Sequence, residues 1–223
     1  MAGKKAVVLL SGGLDSATAL FFAKRKGYAP HALLFDYGQR HGKELLFAQR
    51  LARYARVPCT VVRFALPWGG SALLDASASL PQKRSPAAMS REIPSTYVPA
   101  RNTIFLSFGL SFAEALGAEA IFIGANALDY SGYPDCRPVY YGAFQIMAGL
   151  ATKAGVRGKK IVVKTPLLRK SKAQIVRLAK RLGVPFSQTW SCYAGKARPC
   201  GVCDSCVLRQ KGFQEAGVLD HGR

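Results

Sequence analysis

Ala6-Val7-Val8-Leu9-Leu10-Ser11-Gly12-Gly13-Leu14-Asp15-Ser16 is the stretch on which the fold reading turns. Its first five residues form a continuous apolar run with β-branched Val7 and Val8, which suits a strand covered on both faces. Gly12 and Gly13 break the run, and Ser16–Lys26 then carries Ala17, Leu20 and Phe21 at helical spacing. Strand, glycine turn and helix in immediate succession make a phosphate cradle. Glycine lets the backbone bend and approach an anion, while a helix start offers free amide donors at the positive end of its dipole. Leu10, Ser11, Gly12, Gly13, Leu14, Asp15, Ser16 and Ala17 are therefore the candidate nucleotide-binding residues, with hydroxyl donors on Ser11 and Ser16. Asp15 is out of place beside phosphates unless a cation accompanies them, so Mg²⁺ is expected there.

Outward from this stretch the alternation continues. His31–Phe35 and Thr60–Phe64 read as further strands, and Lys43–Arg56 as an amphipathic helix stopped before Pro58. After a break come a helix over Asn102–Leu116, a strand over Ala120–Ile123 and a helix over Ala143–Lys153. A strand over Lys160–Lys164 and a helix over Lys172–Leu182 complete the pattern. Such alternation predicts an α/β fold, a parallel sheet flanked by helices. The break, Ala65–Thr96, is rich in Pro, Gly, Ser and Ala and reads as a long insertion, either a lid or partly disordered. Ser191–Arg223 reads as loop-rich. The expected organisation is one domain over 1–190, with a 191–223 segment packed on it.

Composition narrows the class. In 223 residues of 24.0 kDa, 49% are hydrophobic, enough to form one substantial core and to exclude wholesale disorder. The longest uncharged stretch, Pro138–Thr152, falls short of the ~18 residues of a membrane span. The apolar run after Lys4-Lys5 is also too short for a secretory signal, so a cytoplasmic protein is expected. The formal charge is +20, with 15 basic and 5 acidic residues before Ser111 and 17 and 7 after it. Such a field favours anionic ligands, but its even spread marks out no separate nucleic-acid module.

Four of the six cysteines, Cys192, Cys200, Cys203 and Cys206, are spaced to converge on one metal ion, and Gly201 permits the tight turn of a C-x-x-C knuckle. A structural zinc, one per chain, is the preferred reading, although spacing alone leaves an iron–sulfur cluster open. Gly124–Pro138 follows a strand and so belongs at the ligand crevice of an open α/β sheet. There Tyr130 and Tyr133 can stack on a planar ring, Ser131 lies between them, and Asp129 or Asp135 can accept hydrogen bonds from its N–H groups. Cys136 is set apart by its neighbours, whereas Cys59 reads as a buried filler.

Ser11–Ser16 matches neither G-x-x-x-x-G-K-[ST] nor G-x-G-x-x-G. It resembles the SGGxDS signature of the PP-loop ATP pyrophosphatases, which cleave ATP between the α and β phosphates to adenylate a substrate. Together with Asp36–His41, Tyr97–Asn102, Gly124–Pro138, Thr165–Leu167, Cys192-Tyr193 and Cys200–Cys206, it resembles the 7-cyano-7-deazaguanine synthase family of queuosine biosynthesis over nearly the whole chain. One departure is Val139, where that family often carries an acid after Cys-Arg-Pro. The resemblance implies an adenine nucleotide alpha hydrolase-like, Rossmann-like fold and a homodimer. It implies small-molecule substrates (7-carboxy-7-deazaguanine, ammonia and ATP) and no stable nucleic-acid or membrane partner. It also implies roles for Asp15 and Ser16 at the phosphates and for Arg101 at the substrate carboxylate or the α-phosphate. His41 would border the nucleotide or simply face water, and of Lys164, Lys170 and Lys172 at least two would form a solvated basic face. A tRNA-modifying PP-loop enzyme, a zinc-bearing nucleic-acid module and transfer of the activated deazaguanine to another acceptor are the competing readings.

Overall fold

The computed structural model describes residues 3–75, 77–82, 84, 93–127 and 133–222. Its strands are Lys4–Leu9 (β1), Tyr28–Asp36 (β2), Cys59–Arg63 (β3), Ala120–Phe122 (β4) and Val162–Lys164 (β5). All four neighbouring pairs are parallel, in the order β3-β2-β1-β4-β5, with Val8 of β1 in register with Ala32 of β2 and Phe122 of β4. Helices run over Leu14–Arg25 (α1), Lys43–Tyr54 (α2), Arg101–Leu116 (α3), Pro138–Ala151 (α4), Lys153–Val156 (α5), Lys172–Leu182 (α6) and Asp204–Ala216 (α7). Among the described residues, no helix is long and apolar enough to cross a membrane.

The apolar run in β1 serves two cores at once. Successive side chains of a strand point to opposite faces. Ala6, Val8 and Leu10 therefore join Ala32, Leu34 and Phe122 on one side, packed by Leu20 of α1, Leu51 of α2, Ile175 of α6 and Phe213 of α7. Val7 and Leu9 join Leu33, Phe35 and Ile121 on the other, under Leu106 and Leu110 of α3 and Phe144 of α4. Burial on both faces is why the strand reads as continuously apolar rather than alternating.

Three expectations are corrected. Ser191–Arg223 is not simply loop-rich, because it contains the 13-residue helix α7. The buried face of α7 is Asp204, Ser205, Cys206, Arg209, Gly212 and Phe213, so its helical spacing is hidden in a mostly polar stripe. The helix expected from Ala143 begins instead at Pro138, whose fixed φ and missing N–H suit a first helical turn. Cys59 is exposed rather than buried, on an edge strand. The described part of the 65–96 stretch forms turns laid across the loop after β2. Arg40 Nη1 donates to the Ala78 carbonyl at 2.7 Å, and Gln82 forms an isolated bridge with Cys203.

Strand order reverses between β1 and β4, so the segments leaving their carboxyl ends diverge around a crevice. Gly124, just beyond β4, meets the start of α1 so closely that a Cβ would lie 2.7 Å from Asp15 C and Ser16 N. Gly124→Ala should therefore destabilise the chain by about 1–3 kcal/mol through overpacking against backbone, read as a lower urea midpoint at unchanged m-value.

Candidate active site

A cavity of about 220 Å³ opens at this crevice. Of the predicted phosphate-loop residues, Leu10, Ser11, Gly13, Leu14, Asp15 and Ser16 line it. Gly12 and Ala17 support it from behind. Gly12 has φ +83° and backs onto α2, where a Cβ would fall 2.4 Å from the Glu44 carbonyl, and Ala17 is fully buried in the core. The loop is tied before any ligand arrives. The Ser16 hydroxyl donates to the Gly13 carbonyl at 3.0 Å and accepts from Ser11 N–H at 3.2 Å. Gly13 is the N-cap of α1 and has no side chain to occupy the first amides of the helix, which leaves donors for an anion.

Asp15 faces this cavity and is held by Lys172, whose Nζ lies 2.8 and 3.0 Å from the two carboxylate oxygens. The side chains are only 19% and 10% exposed. Of the three lysines considered from sequence, Lys172 is the one buried against the loop; Lys164 and Lys170 are half-buried and line no part of the cavity. Each Asp15 oxygen retains a lone pair beyond the one that accepts from Lys172, and a carboxylate beside a phosphate cradle is the kind of donor with which Mg²⁺ joins a protein to substrate phosphates, so the residues present fit that ion.

Arg101 comes from the opposite wall. It follows Ala100, which adopts the left-handed φ of +50°, a conformation disfavoured by roughly 1–2 kcal/mol for a residue with a Cβ. The Ala100 N–H donates to Tyr97 Oη at 3.0 Å, which helps hold the turn. Arg101 Nη1 donates to Tyr37 Oη at 3.2 Å, and its guanidinium lies 5.9 Å from the centre of the Phe105 ring. Burial opposes its charge, yet Tyr37, Tyr133 and Glu44 outweigh it and raise the pKa, so Arg101 is a permanent cation. Glu44 also lines the cavity, and burial pushes its carboxyl upward despite Arg101 and His41. Sequence reasoning missed Glu44, which looks like an ordinary acid in the first turn of a helix. His41 lies outside the cavity lining and packs against Gly195 of the cysteine segment.

In the loop after β4, Asp129, Tyr130 and Ser131 lie outside the described residues. Tyr133 lines the cavity; its hydroxyl is 3.1 Å from Thr96 Oγ1 and its ring centre 5.6 Å from that of Tyr97. Asp135 does not line it. Its Oδ2 accepts the Asn102 N–H at 3.0 Å and its carbonyl accepts Asn102 Nδ2 at 3.1 Å, so it braces the start of α3 beside Arg101. Cys136 does line the cavity, and burial together with Asp135 pushes its thiol up to about 12, which keeps it protonated at neutral pH.

The four predicted cysteine ligands converge, with Sγ atoms all within 4.8 Å of one another. Backbone N–H groups of Ala194 and Cys200 point at Cys192 Sγ at 3.4 and 3.3 Å, and that of Cys203 at Cys200 Sγ at 3.4 Å. Four thiols with amide donors around them fit a closed tetrahedral thiolate site. The same segment walls the cavity, through Trp190, Ser191, Tyr193, Ser205 and Arg209. It is joined to the phosphate loop by a hydrogen bond from Trp190 N–H to the Gly12 carbonyl at 2.9 Å.

Burial also raises the Asp135 carboxyl above its ordinary value of 3.8. The folded chain thus keeps this proton after the unfolded chain has released it, and stability falls as pH climbs past that value. Asp135→Asn, which still accepts from Asn102, should remove the effect. Its stability relative to the parent should be near parity below about pH 4 and improve above it, as measured by urea unfolding across pH.

Known proteins of similar sequence identify the family. The family model described as "Queuosine biosynthesis protein QueC" matches residues 5–217. A 7-cyano-7-deazaguanine synthase of Anaeromyxobacter dehalogenans is 56% identical over 220 residues, covering 97% of this chain and 94% of its own. That of Nostoc punctiforme is 56% identical over 218 residues, covering 97% of both chains. That of Methylococcus capsulatus is 54% identical over 224 residues, covering 99% of this chain and 98% of its own. A solved 4-thiouridine synthetase–RNA complex with bound ATP aligns with 96% of this chain and 50% of its own, at TM-score 0.49 and 19% identity. With a family model spanning almost its entire length and relatives more than half identical from end to end, the chain belongs to the QueC family of queuosine biosynthesis proteins.

Proposed function

We propose that the chain is an ATP-dependent ligase that converts 7-carboxy-7-deazaguanine and ammonia to 7-cyano-7-deazaguanine. The observation that carries this reading is that the anion-binding loop Ser11–Ser16 and the cation Arg101 face one cavity. Carboxylate activation by ATP needs an electrostatic grip on the departing diphosphate and a fixed approach to the α-phosphate, with no protein nucleophile. The amides and hydroxyls of Ser11–Ser16 hold the diphosphate, and Asp15 would hold Mg²⁺, which would supply neutralisation of phosphate charge when bound. Arg101 binds the substrate carboxylate or the α-phosphate, since a guanidinium grips either with two parallel hydrogen bonds. Tyr133 receives the deazapurine ring. Attack of the carboxylate on the α-phosphate expels diphosphate and leaves an acyl adenylate. Ammonia displaces AMP and loses a proton to form the amide; the amide oxygen then attacks the α-phosphate of a second ATP, expelling a second diphosphate, and loss of AMP and protons leaves the nitrile. Cys136, held protonated, takes no nucleophilic part. Val139 is 71% exposed on α4 and lines no part of the described cavity.

The four-cysteine site holds one structural zinc, and the free state of all six cysteines suits a reducing cytoplasm. The enzyme works as a homodimer through α4. Along that helix Val139, Ile146 and Leu150 are 71%, 68% and 76% exposed, and they form a stripe with exposed Gly142 and Ala143 and no charge. In a chain of +20, a bare apolar face is where two like-charged copies can meet without repulsion.

Incubation of the zinc-loaded chain with ATP, ammonia and 7-carboxy-7-deazaguanine should yield 7-cyano-7-deazaguanine, AMP and diphosphate by mass spectrometry. Asp15→Ala should lose at least a hundredfold in turnover while keeping its far-ultraviolet circular dichroism; retained turnover would remove the assignment. Light scattering should report a dimer that the Ile146→Glu, Leu150→Glu double variant converts to monomer.

A further inference from the structure

Gly212 lies in the interior of α7, away from either cap, where glycine is a poorer helix former than alanine and has no local use. Its surroundings supply the reason. A Cβ at this position would fall 2.2 Å from Lys172 Cγ and 2.8 Å from Lys172 Cβ. Those are the stem atoms nearest the backbone, which cannot swing aside as the end of a flexible chain can. Lys172 is the first residue of α6, whose start is held by a capping box between Ser171 and Gln174, so its backbone is fixed as well. From this pinched position the ammonium reaches both oxygens of Asp15.

The other end of the contact is equally rigid. Two metal-ligand cysteines, Cys203 and Cys206, sit at the start of α7. One turn on, Arg209 makes two bonds to Asp220, at 2.7 and 2.8 Å, and a third to Thr189 Oγ1 at 2.9 Å. The next residue after Gly212, Phe213, is buried in the same core as Ile175 and Val176 of α6. A helix anchored in this way presses a bare backbone position onto the lysine stem.

We propose that Gly212 is a positioning residue for the phosphate loop: by having no side chain it lets α7 fix Lys172, and through Lys172 the carboxylate of Asp15. The cysteine segment would thereby set the geometry of the ATP site, as well as close it. This rests on the proposed ATP chemistry for its consequence but not for its contact, and the two are tested separately.

The test is a double-mutant cycle of Gly212→Ala and Lys172→Ala in the zinc-loaded chain, read by melting temperature and by calorimetric binding of a non-hydrolysable ATP analogue with Mg²⁺. In the parent, Gly212→Ala should lower the melting temperature and weaken analogue binding about tenfold. In the Lys172→Ala background the same change should lower the melting temperature by clearly less, because the 2.2 Å clash with Cγ is gone and only the Cβ contact at 2.8 Å remains. It should also leave analogue binding unchanged there. Equal effects of Gly212→Ala in both backgrounds, or undiminished binding by the single variant, would overturn the proposal. A parent that binds the analogue and couples to Gly212 in this way, yet makes no 7-cyano-7-deazaguanine, would overturn the reaction assignment and leave the positioning role standing.

Discussion

Gly124 leaves β4 so close to Asp15 and Ser16 that the two segments share one van der Waals surface, and a single methyl group would part them. That contact sits where the strand order reverses, between β1 and β4, the one place in the sheet where outgoing segments diverge and leave a crevice. Everything in the cavity is placed relative to it. The phosphate loop is pressed from the β4 side by Gly124 and from the α2 side through Gly12, so its amides are aimed by backbone packing rather than by flexible side chains. Preorganised donors of this kind need no rearrangement when charge develops on a leaving group, and this is where electrostatic catalysis gains most.

Within the cavity the large net charge of the chain is balanced locally. Lys172 sits on Asp15, and Arg101 is surrounded by Tyr37, Tyr133 and Glu44, each of which favours its charged form. Two cation–acid groupings face each other across the space that would hold a triphosphate and a carboxylate. The +20 charge supplies a general attraction for anions, whereas these paired groups decide where an anion stops. Asp135 contributes from behind. By accepting the Asn102 amide it secures the first turn of the helix that carries Arg101, next to the left-handed Ala100.

The cysteine segment is part of the same machinery rather than an appendage. Trp190 is bonded to the phosphate loop through Gly12, its ring packs 5.4 Å from Phe47 of α2, and Ser205 and Arg209 look into the cavity. A thiolate-bound metal holding this strap would act on the site by fixing one of its walls, because closed four-ligand sites contribute folding energy to whatever they tie together.

How much of this was legible in advance follows from the range over which each signal acts. The phosphate loop and the cysteine cluster could be read from sequence because glycine's tolerance of positive φ, the free amides of a helix start and the reach of closely spaced thiolates are all local properties. Strands buried on both faces were legible for the same reason, as unbroken apolar runs. Helix α7 was not, since apart from Cys206 and Phe213 its buried stripe is made of aspartate, serine, arginine and glycine, whose burial depends on partners elsewhere in the chain. Lys172 and Asp15 are 157 residues apart, and nothing around either one announces the other. Asp135 and Glu44 differ in the same way. Asp135, which the sequence offered as a substrate acceptor, spends its carboxylate on a backbone amide, whereas Glu44, which reads as an ordinary acid at a helix start, faces the cavity. Sequence by itself determined the elements up to α6 and the chemistry they carry, through local conformational preference. Only the tertiary structure decided which charges meet and which are used up in bracing, because burial and pairing arise when distant segments pack.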